Sequence, residues 1–240
     1  MTIALITGAN KGIGHETARL LGEAGATVLV GARSEERGTA AVTRLREGGA
    51  DAVFIPLDVT DQATIDAAAK WIEAEYDHLD ILVNNAGTLH PADGAGPSST
   101  PVSAVRETLE TNVIGVIAVT NAMLPLLRRS AAGRIVNVGS ELGSLAVVTD
   151  PENAFYPFNM LAYNTGKTAV SAITVAYAKE LSATNIKVNA GNPGYCATDM
   201  NGHQGHRSAA EGAAELVRLA TLPVDGPTGG FFREGSPMPW

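Results

Sequence analysis

TIALITGANKGIGHETARLLGEAG, residues 2–25, opens with a short apolar run, turns on glycines and closes on a helical stripe. Residues 2–7 have the length and β-branching of a buried strand. Gly8, Gly12 and Gly14 follow, with Asn10, Lys11 and Ile13 among them. Ile13, Thr17, Ala18 and Leu21 then recur at helical spacing, and Gly25 is a stop signal. Glycine permits positive φ and lets backbone approach a ligand closely. A helix N-terminus offers unpaired N–H groups and a positive partial charge. Strand, glycine turn and helix in that order suit a dinucleotide pyrophosphate, here with the spacing G-x-x-x-G-x-G. A tight turn without a ligand is the bland alternative.

The alternation continues along the chain. Strands are expected at residues 27–33, at 52–57 ending in Asp58, at 81–83 running into Asn84-Asn85-Ala86-Gly87, and at 134–139, 186–189 and 229–232. Between them lie helices at 35–47, from Thr60 or Asp61 to about 76, and at 102–129, 160–181 and 209–220. Residues 88–100, 143–159 and 192–207 read as loop or irregular. Continuous apolar strands separated by helices imply a parallel sheet covered on both faces. The expected fold is a single-domain Rossmann-type α/β fold over residues 1–240, a doubly wound sheet of about seven strands. Right-handed crossovers bring every strand's C-terminal end to one edge, where ligands bind in such sheets.

Composition narrows the partners. A 240-residue chain that is 45% hydrophobic can bury one sizeable core. A net charge of −8 argues against nucleic acid or an anionic membrane surface as partner. The lone cysteine, Cys196, cannot form an intrachain disulfide, which fits a reducing, cytoplasmic setting. The first strand leaves no room for a signal peptide. No uninterrupted apolar run approaches ~18 residues, so no membrane span is expected.

Tyr163 and Lys167 are one helical turn apart and share a helix face. An ammonium beside a phenol favours the phenolate and lowers the phenol's pKa, making a proton donor to a carbonyl or an acceptor from an alcohol. Ser140 ends a strand and can hold the same oxygen. The second strand ends at Arg33. An arginine there accommodates a ribose 2′-phosphate, whereas an acid would bind the 2′-hydroxyl. Lys11 and Arg37 add charge nearby, so NADPH is favoured over NADH. Lys11, Arg33 and Arg37 as merely solvated side chains are the alternative. Asp58 can accept from an adenine amino group, cap the next helix, or do both. Asn85, Ala86 and Gly87 form either a floor for a flat ring or ribose, or a structural turn. His203 and His206 lack companions for a metal site. Cys196 lacks an evident base.

Taken together, TGANKGIG, the Asp58 strand end, NNAG, Asn112, Ser140, Tyr163 with Lys167, and Pro193-Gly194 with Thr198 resemble the short-chain dehydrogenase/reductase family, in family order over essentially the whole chain. ANKGIG, GARSEERG, TDM and GPTGGFF look most like its NADPH-dependent carbonyl reductases. The resemblance implies that Tyr163 is the general acid, that Lys167 lowers its pKa and binds the nicotinamide ribose, and that Ser140 holds the substrate oxygen. It implies that Asn112 bends its helix and holds a water linking Lys167 to solvent. It assigns cofactor contacts to Gly8, Asn10, Lys11, Gly12, Ile13, Gly14, Arg33, Arg37, Asp58, Val59, Asn85, Ala86, Gly87, Pro193, Gly194 and Thr198, as well as to Tyr163 and Lys167. The implied partner is a small-molecule carbonyl substrate, with no metal. Homodimer, homotetramer and monomer all stay open. Ser140 and Tyr163 are separated by 22 residues, about ten more than usual in the family. Residues 142–160 therefore read as an insertion and 195–210 as a substrate loop. Phe155, Tyr156, Phe158 and Met160 wall the pocket or simply pack. An NAD-dependent alcohol dehydrogenase and a non-catalytic NADPH sensor are the rival readings.

Overall fold

The computed structural model describes residues 1–240. Strands and helices alternate as β1 (Ile3–Thr7), α1 (Gly12–Glu23), β2 (Thr27–Ala32), α2 (Glu35–Glu47), β3 (Ala52–Pro56), α3 (Gln62–Tyr76) and β4 (Ile81–Asn84). They continue with α4 (Val102–Leu109), α5 (Gly115–Leu127), β5 (Arg134–Val138), the short α6 (Leu145–Val148), α7 (Leu161–Glu180), β6 (Lys187–Gly191), α8 (Ala209–Ala220), β7 (Phe231–Arg233) and β8 (Ser236–Pro237). The sheet order is β3-β2-β1-β4-β5-β6-β7-β8. All neighbours pair in parallel except β7 with β8.

Side chains one residue apart on a strand point to opposite faces, and both faces here are dry. Ala4 and Ile6 of β1 join a core with Ala18 and Leu21 of α1, Val42 of α2 and Leu216 of α8. Ile3 and Leu5 join the opposite core with Ile65 and Ile72 of α3, Val119 and Met123 of α5 and Ala178 of α7. The doubly wound sheet with helices on both faces is therefore present.

Three details depart from expectation. An eighth, antiparallel strand closes a hairpin with β7, because Gly235, at φ +79, lets the chain turn back within two residues. The helix expected at 102–129 is continuous but passes through a π turn at Glu110–Ile114. By length and composition that helix, Val102–Leu127, is apolar enough to cross a bilayer, because its hydropathy comes from many separated apolar residues rather than one run. Here Val119, Met123, Leu126 and Leu127 bury one face of it against the sheet. Finally, the irregular stretches contain 3₁₀ turns at Pro91–Gly94, Pro97–Ser99, Glu141–Gly143 and Asp199–Asn201, as well as α6.

Candidate active site

The strand ends Thr7, Ala32, Asn84, Val138 and Gly191 line one edge of the sheet. Gly8 leaves β1 at φ +65, and a Cβ there would lie 3.0 Å from the Ala86 Cα. A Cβ on Gly14 would lie 2.3 Å from Asn85 Nδ2 and 2.8 Å from the Gly8 carbonyl oxygen. The glycine turn is thus pressed directly against NNAG. Asn85 Nδ2 donates to the carbonyls of Thr7 (2.8 Å) and Gly8 (3.2 Å). The buried Thr7 hydroxyl accepts from the N–H groups of both Asn85 and Ala86, each at 3.0 Å. Asn85 is therefore at least partly structural, and Thr7, overlooked in the sequence, fixes the turn. α1 starts after Lys11 with no side-chain cap, which leaves its first N–H groups directed at the crevice.

The charged groups are arranged less simply than their order in the chain suggested. Arg33 and Arg37 are exposed beyond β2. Lys11 instead reaches across to Asp199, Nζ to Oδ2 2.6 Å. That contact holds the Asp199 carboxyl below the ordinary carboxylate range. Arg44, unnoticed in the sequence, extends from α2 to the carbonyl of Asn10 at 3.5 Å. Only its place three turns into α2, out of register with any motif, kept it hidden. Asp58 binds Thr60 through both the N–H (3.0 Å) and the hydroxyl (2.8 Å), while Asp61 caps α3 through the N–H of Ala63 (3.0 Å). Val59 packs over Gly115, where a Cβ would meet it at 2.8 Å.

The segment from Pro193 to Asn201 crosses above the glycine turn. Gly194 sits at φ +74, its N–H held by Asn192 Oδ1 at 2.9 Å. Thr198 and Asn201 form a reciprocal cap, and a Cβ on Gly12 would lie 3.6 Å from the Thr198 methyl. Cys196 is buried with Sγ 3.2 Å from the Pro193 carbonyl oxygen, and burial pushes its thiol up, away from nucleophilic chemistry. His203 pairs with Asp199 at 3.0 Å, and His206 faces the Tyr195 ring.

Tyr163, Lys167 and Ser140 converge at the ends of β5 and α7. The Lys167 Nζ donates to the Val138 carbonyl at 2.7 Å and lies 5.7 Å from the centre of the Tyr163 ring. The Ser140 hydroxyl accepts from the Leu142 N–H at 3.2 Å and is near enough to Tyr163 to draw its phenol down. Tyr163 as a whole is half-buried among protein groups. That enclosure pushes the phenol up to about 12, against a lowering pull from Ser140 and with a small further push from Glu141. Burial pulls Lys167 down to about 8. The expected lowering of Tyr163 by Lys167 is thus not seen here: desolvation dominates, Ser140 supplies the lowering pull, and the ammonium is bonded to a carbonyl. Asn112 sits in the π turn, its Oδ1 accepting from the Thr88 N–H (2.8 Å) and its Nδ2 donating to the Thr88 carbonyl (2.9 Å). Gly87 lies between them: a Cβ there would be 3.5 Å from Asn112 Oδ1 and 3.9 Å from Lys167 Nζ.

Residues 2–209 match the family model for short chain dehydrogenase. The chain belongs to the short-chain dehydrogenase family. Among curated members it is 39% identical to short-chain dehydrogenase anuI of Penicillium roqueforti, covering 91% of this chain and 88% of that protein. It is 34% identical to carbonyl reductase (NADPH) 1 of Bos taurus, covering 99% and 98%. That alignment runs over 278 positions, so the bovine protein carries residues that this chain lacks. Among solved structures it superposes on NADPH-bound carbonyl reductase from chicken fatty liver with a TM-score of 0.86, at 26% identity, covering 100% and 98% of the two chains.

Two further features of this short-chain dehydrogenase were not legible in its motifs. Glu141, next to Ser140, is buried and paired with Arg233 of β7 at 2.5 Å, so the last strands brace the Ser140 turn. Phe155 and Phe158 pack against each other at 6.1 Å, with Phe158 and Tyr156 largely exposed.

Proposed function

We propose that this short-chain dehydrogenase reduces a ketone or aldehyde to an alcohol with NADPH. The observation that carries the reading is the half-buried, desolvated phenol of Tyr163 near the Ser140 hydroxyl and the Lys167 ammonium. A phenol held at about 12 keeps its proton at neutral pH, which suits a proton donor waiting for a carbonyl oxygen. When bound, NADPH supplies the hydride. Tyr163 gives its proton to the substrate oxygen, Ser140 holds that oxygen, and Lys167, still mostly protonated near neutral pH at a pKa of about 8, sits beside the phenolate left behind.

The residues fit the cofactor on their own evidence. The contact of Gly14 with Asn85 leaves a bare backbone cradle at the uncapped start of α1, suited to a pyrophosphate. Arg33 and Arg37 would meet the 2′-phosphate, with Arg44 close behind. Asp58 and Val59 would flank the adenine, Ala86 and Gly87 the nicotinamide ribose, and Pro193, Gly194 and Thr198 the carboxamide. In this reading Asn112 secures Gly87 and Thr88 beneath the ribose. Residues 142–160 and 195–210 border the substrate, a small carbonyl compound. The rival NAD-dependent reading draws on one observation, that Asp199 already occupies Lys11. The lone buried thiol of Cys196 suits a reducing cytoplasmic setting.

The test is NADPH oxidation followed by absorbance with a carbonyl panel that includes para-nitrobenzaldehyde, an aryl ketone and a cyclic ketone. Turnover with at least one is expected, and Tyr163→Phe should lose at least ~10²-fold. A Tyr163→Phe enzyme as fast as wild type refutes the assignment.

A further inference from the structure

Tyr163 is the third residue of α7, in the turn whose N–H groups have no partner inside the helix. Met160, at the cap position, offers no side-chain hydrogen bond. The missing partner comes from a loop about seventy residues upstream in the chain. Asp93, completely buried, accepts from the Ala162 N–H with Oδ1 (2.9 Å) and from the Tyr163 N–H with Oδ2 (2.8 Å). Both carboxylate oxygens accept from backbone N–H groups, and no side-chain cation pairs with them. A carboxylate taken out of water at such a place is costly unless those bonds are well made, and a helix N-terminus is where they are strongest.

The loop that carries Asp93 is itself anchored. Thr88 is clamped from both sides by Asn112. The 3₁₀ turn Pro91–Gly94 is capped by His90, whose Nδ1 accepts from the Ala92 N–H at 3.1 Å and whose carbonyl accepts from the Asp93 N–H at 3.0 Å. Lys167 is fixed separately by Val138, and Ser140 by its own turn. Release of the first turn of α7 would therefore move Tyr163 relative to the other two.

We propose that Asp93 is a positioning residue for catalysis, holding the backbone of Tyr163 so that its phenol meets the substrate oxygen beside Ser140. The inference rests on Tyr163 being the general acid. Displacement of a reacting group by about 1 Å can cost ~10²-fold.

The experiment is a double-mutant cycle with NADPH and para-nitrobenzaldehyde, or the best carbonyl probe of the panel. Asp93→Ala should lower kcat by between ~10-fold and ~10²-fold in the wild-type background. In the Tyr163→Phe background it should change the residual rate by less than ~2-fold, because no phenol is left to misplace. NADPH affinity, read by fluorescence titration, should stay within ~3-fold. Asp93→Asn, which keeps one acceptor, should fall between wild type and Asp93→Ala, and it carries the same cycle if Asp93→Ala does not fold. Equal losses in both backgrounds, a parallel loss of NADPH binding, or an unchanged kcat would overturn the inference. If Tyr163→Phe is inactive while Asp93→Ala runs at the wild-type rate, only the Asp93 role fails. If Tyr163→Phe itself runs at the wild-type rate, the general-acid reading fails and takes this one with it.

Discussion

Burial works in opposite directions on the two titrating groups of the site. Desolvation pulls Lys167 from its ordinary value down to about 8 and pushes Tyr163 up to about 12. Between pH about 8 and the unfolded lysine value of ~10.4, the unfolded chain holds a proton on Lys167 that the folded chain has lost, so this group makes stability rise with pH across that window. Tyr163 acts in the opposite sense at higher pH: from ~10 to about 12 the folded chain holds a proton the unfolded one has released, and stability falls. Urea unfolding of wild type and Lys167→Met tests the first sign. The variant's advantage should be greatest near pH ~7 and should shrink by pH ~10. A constant difference would mean that Lys167 is not desolvated in the folded protein. Cofactor choice is decided at the same scale. Arg33→Asp should weaken NADPH binding by at least ~10-fold more than NADH binding, since it replaces an attraction for a 2′-phosphate by a repulsion. Fluorescence titration with both cofactors measures it, and equal losses would transfer the preference to NADH.

The elements show what a sequence can and cannot carry. Apolar runs and glycine signals marked the first seven strands and every helix but the short α6 to within a few residues, because burial on both faces of the sheet leaves a continuous pattern. Ser140, Tyr163 and Lys167 were readable as a set because one helical turn and one strand end bring them together. Asp93 was not readable, because its partners are backbone N–H groups far along the chain and nothing in PADG distinguishes a cap from a loop acid. The π turn around Asn112 likewise leaves no compositional trace in ETNVI. Thr7 sits between these cases: it lies at the end of a recognisable strand, yet its hydroxyl works on β4. Replacing it with the near-isosteric valine would strip a shared acceptor from the N–H groups of Asn85 and Ala86. Thr7→Val should therefore cost roughly 1–3 kcal/mol, measured by denaturant unfolding, with weakened NADPH binding as NNAG loosens. A change below ~0.5 kcal/mol would show that the turn holds itself.

Across the whole molecule, the late hairpin closes a circuit that the alternating pattern of strands and helices does not predict. Parallel strands β1 to β7 build the cofactor edge, but β8 turns back and sends the C-terminus toward the Ser140 turn. Ser144 donates through its hydroxyl to the Pro239 carbonyl at 2.8 Å, and the Ala146 N–H donates to the Trp240 carbonyl at 3.2 Å. Trp240 stacks on Phe231 at 5.4 Å, and Phe231 lies against Gly139, where a Cβ would be 2.7 Å away. Glu234 pairs with Arg207 of the segment over the crevice, and Arg233 holds Glu141 beside the serine. The two ends of the site, substrate side and catalytic side, are thus tied through the last eight residues. Deleting residues 234–240 removes most of those ties while sparing Arg233 and the strand it belongs to. The truncated protein should still bind NADPH, because the glycine turn and NNAG stand on the central strands β1 and β4, with β5 and β6 between them and the β7–β8 hairpin. Its kcat should drop by at least ~10-fold, as the Ser140 turn gains freedom that misaligns the hydroxyl. Parallel measurement of NADPH affinity and kcat decides it: equal losses of both would mean that the tail supports the whole sheet, and unchanged kcat would mean that the Ser140 turn stands without it.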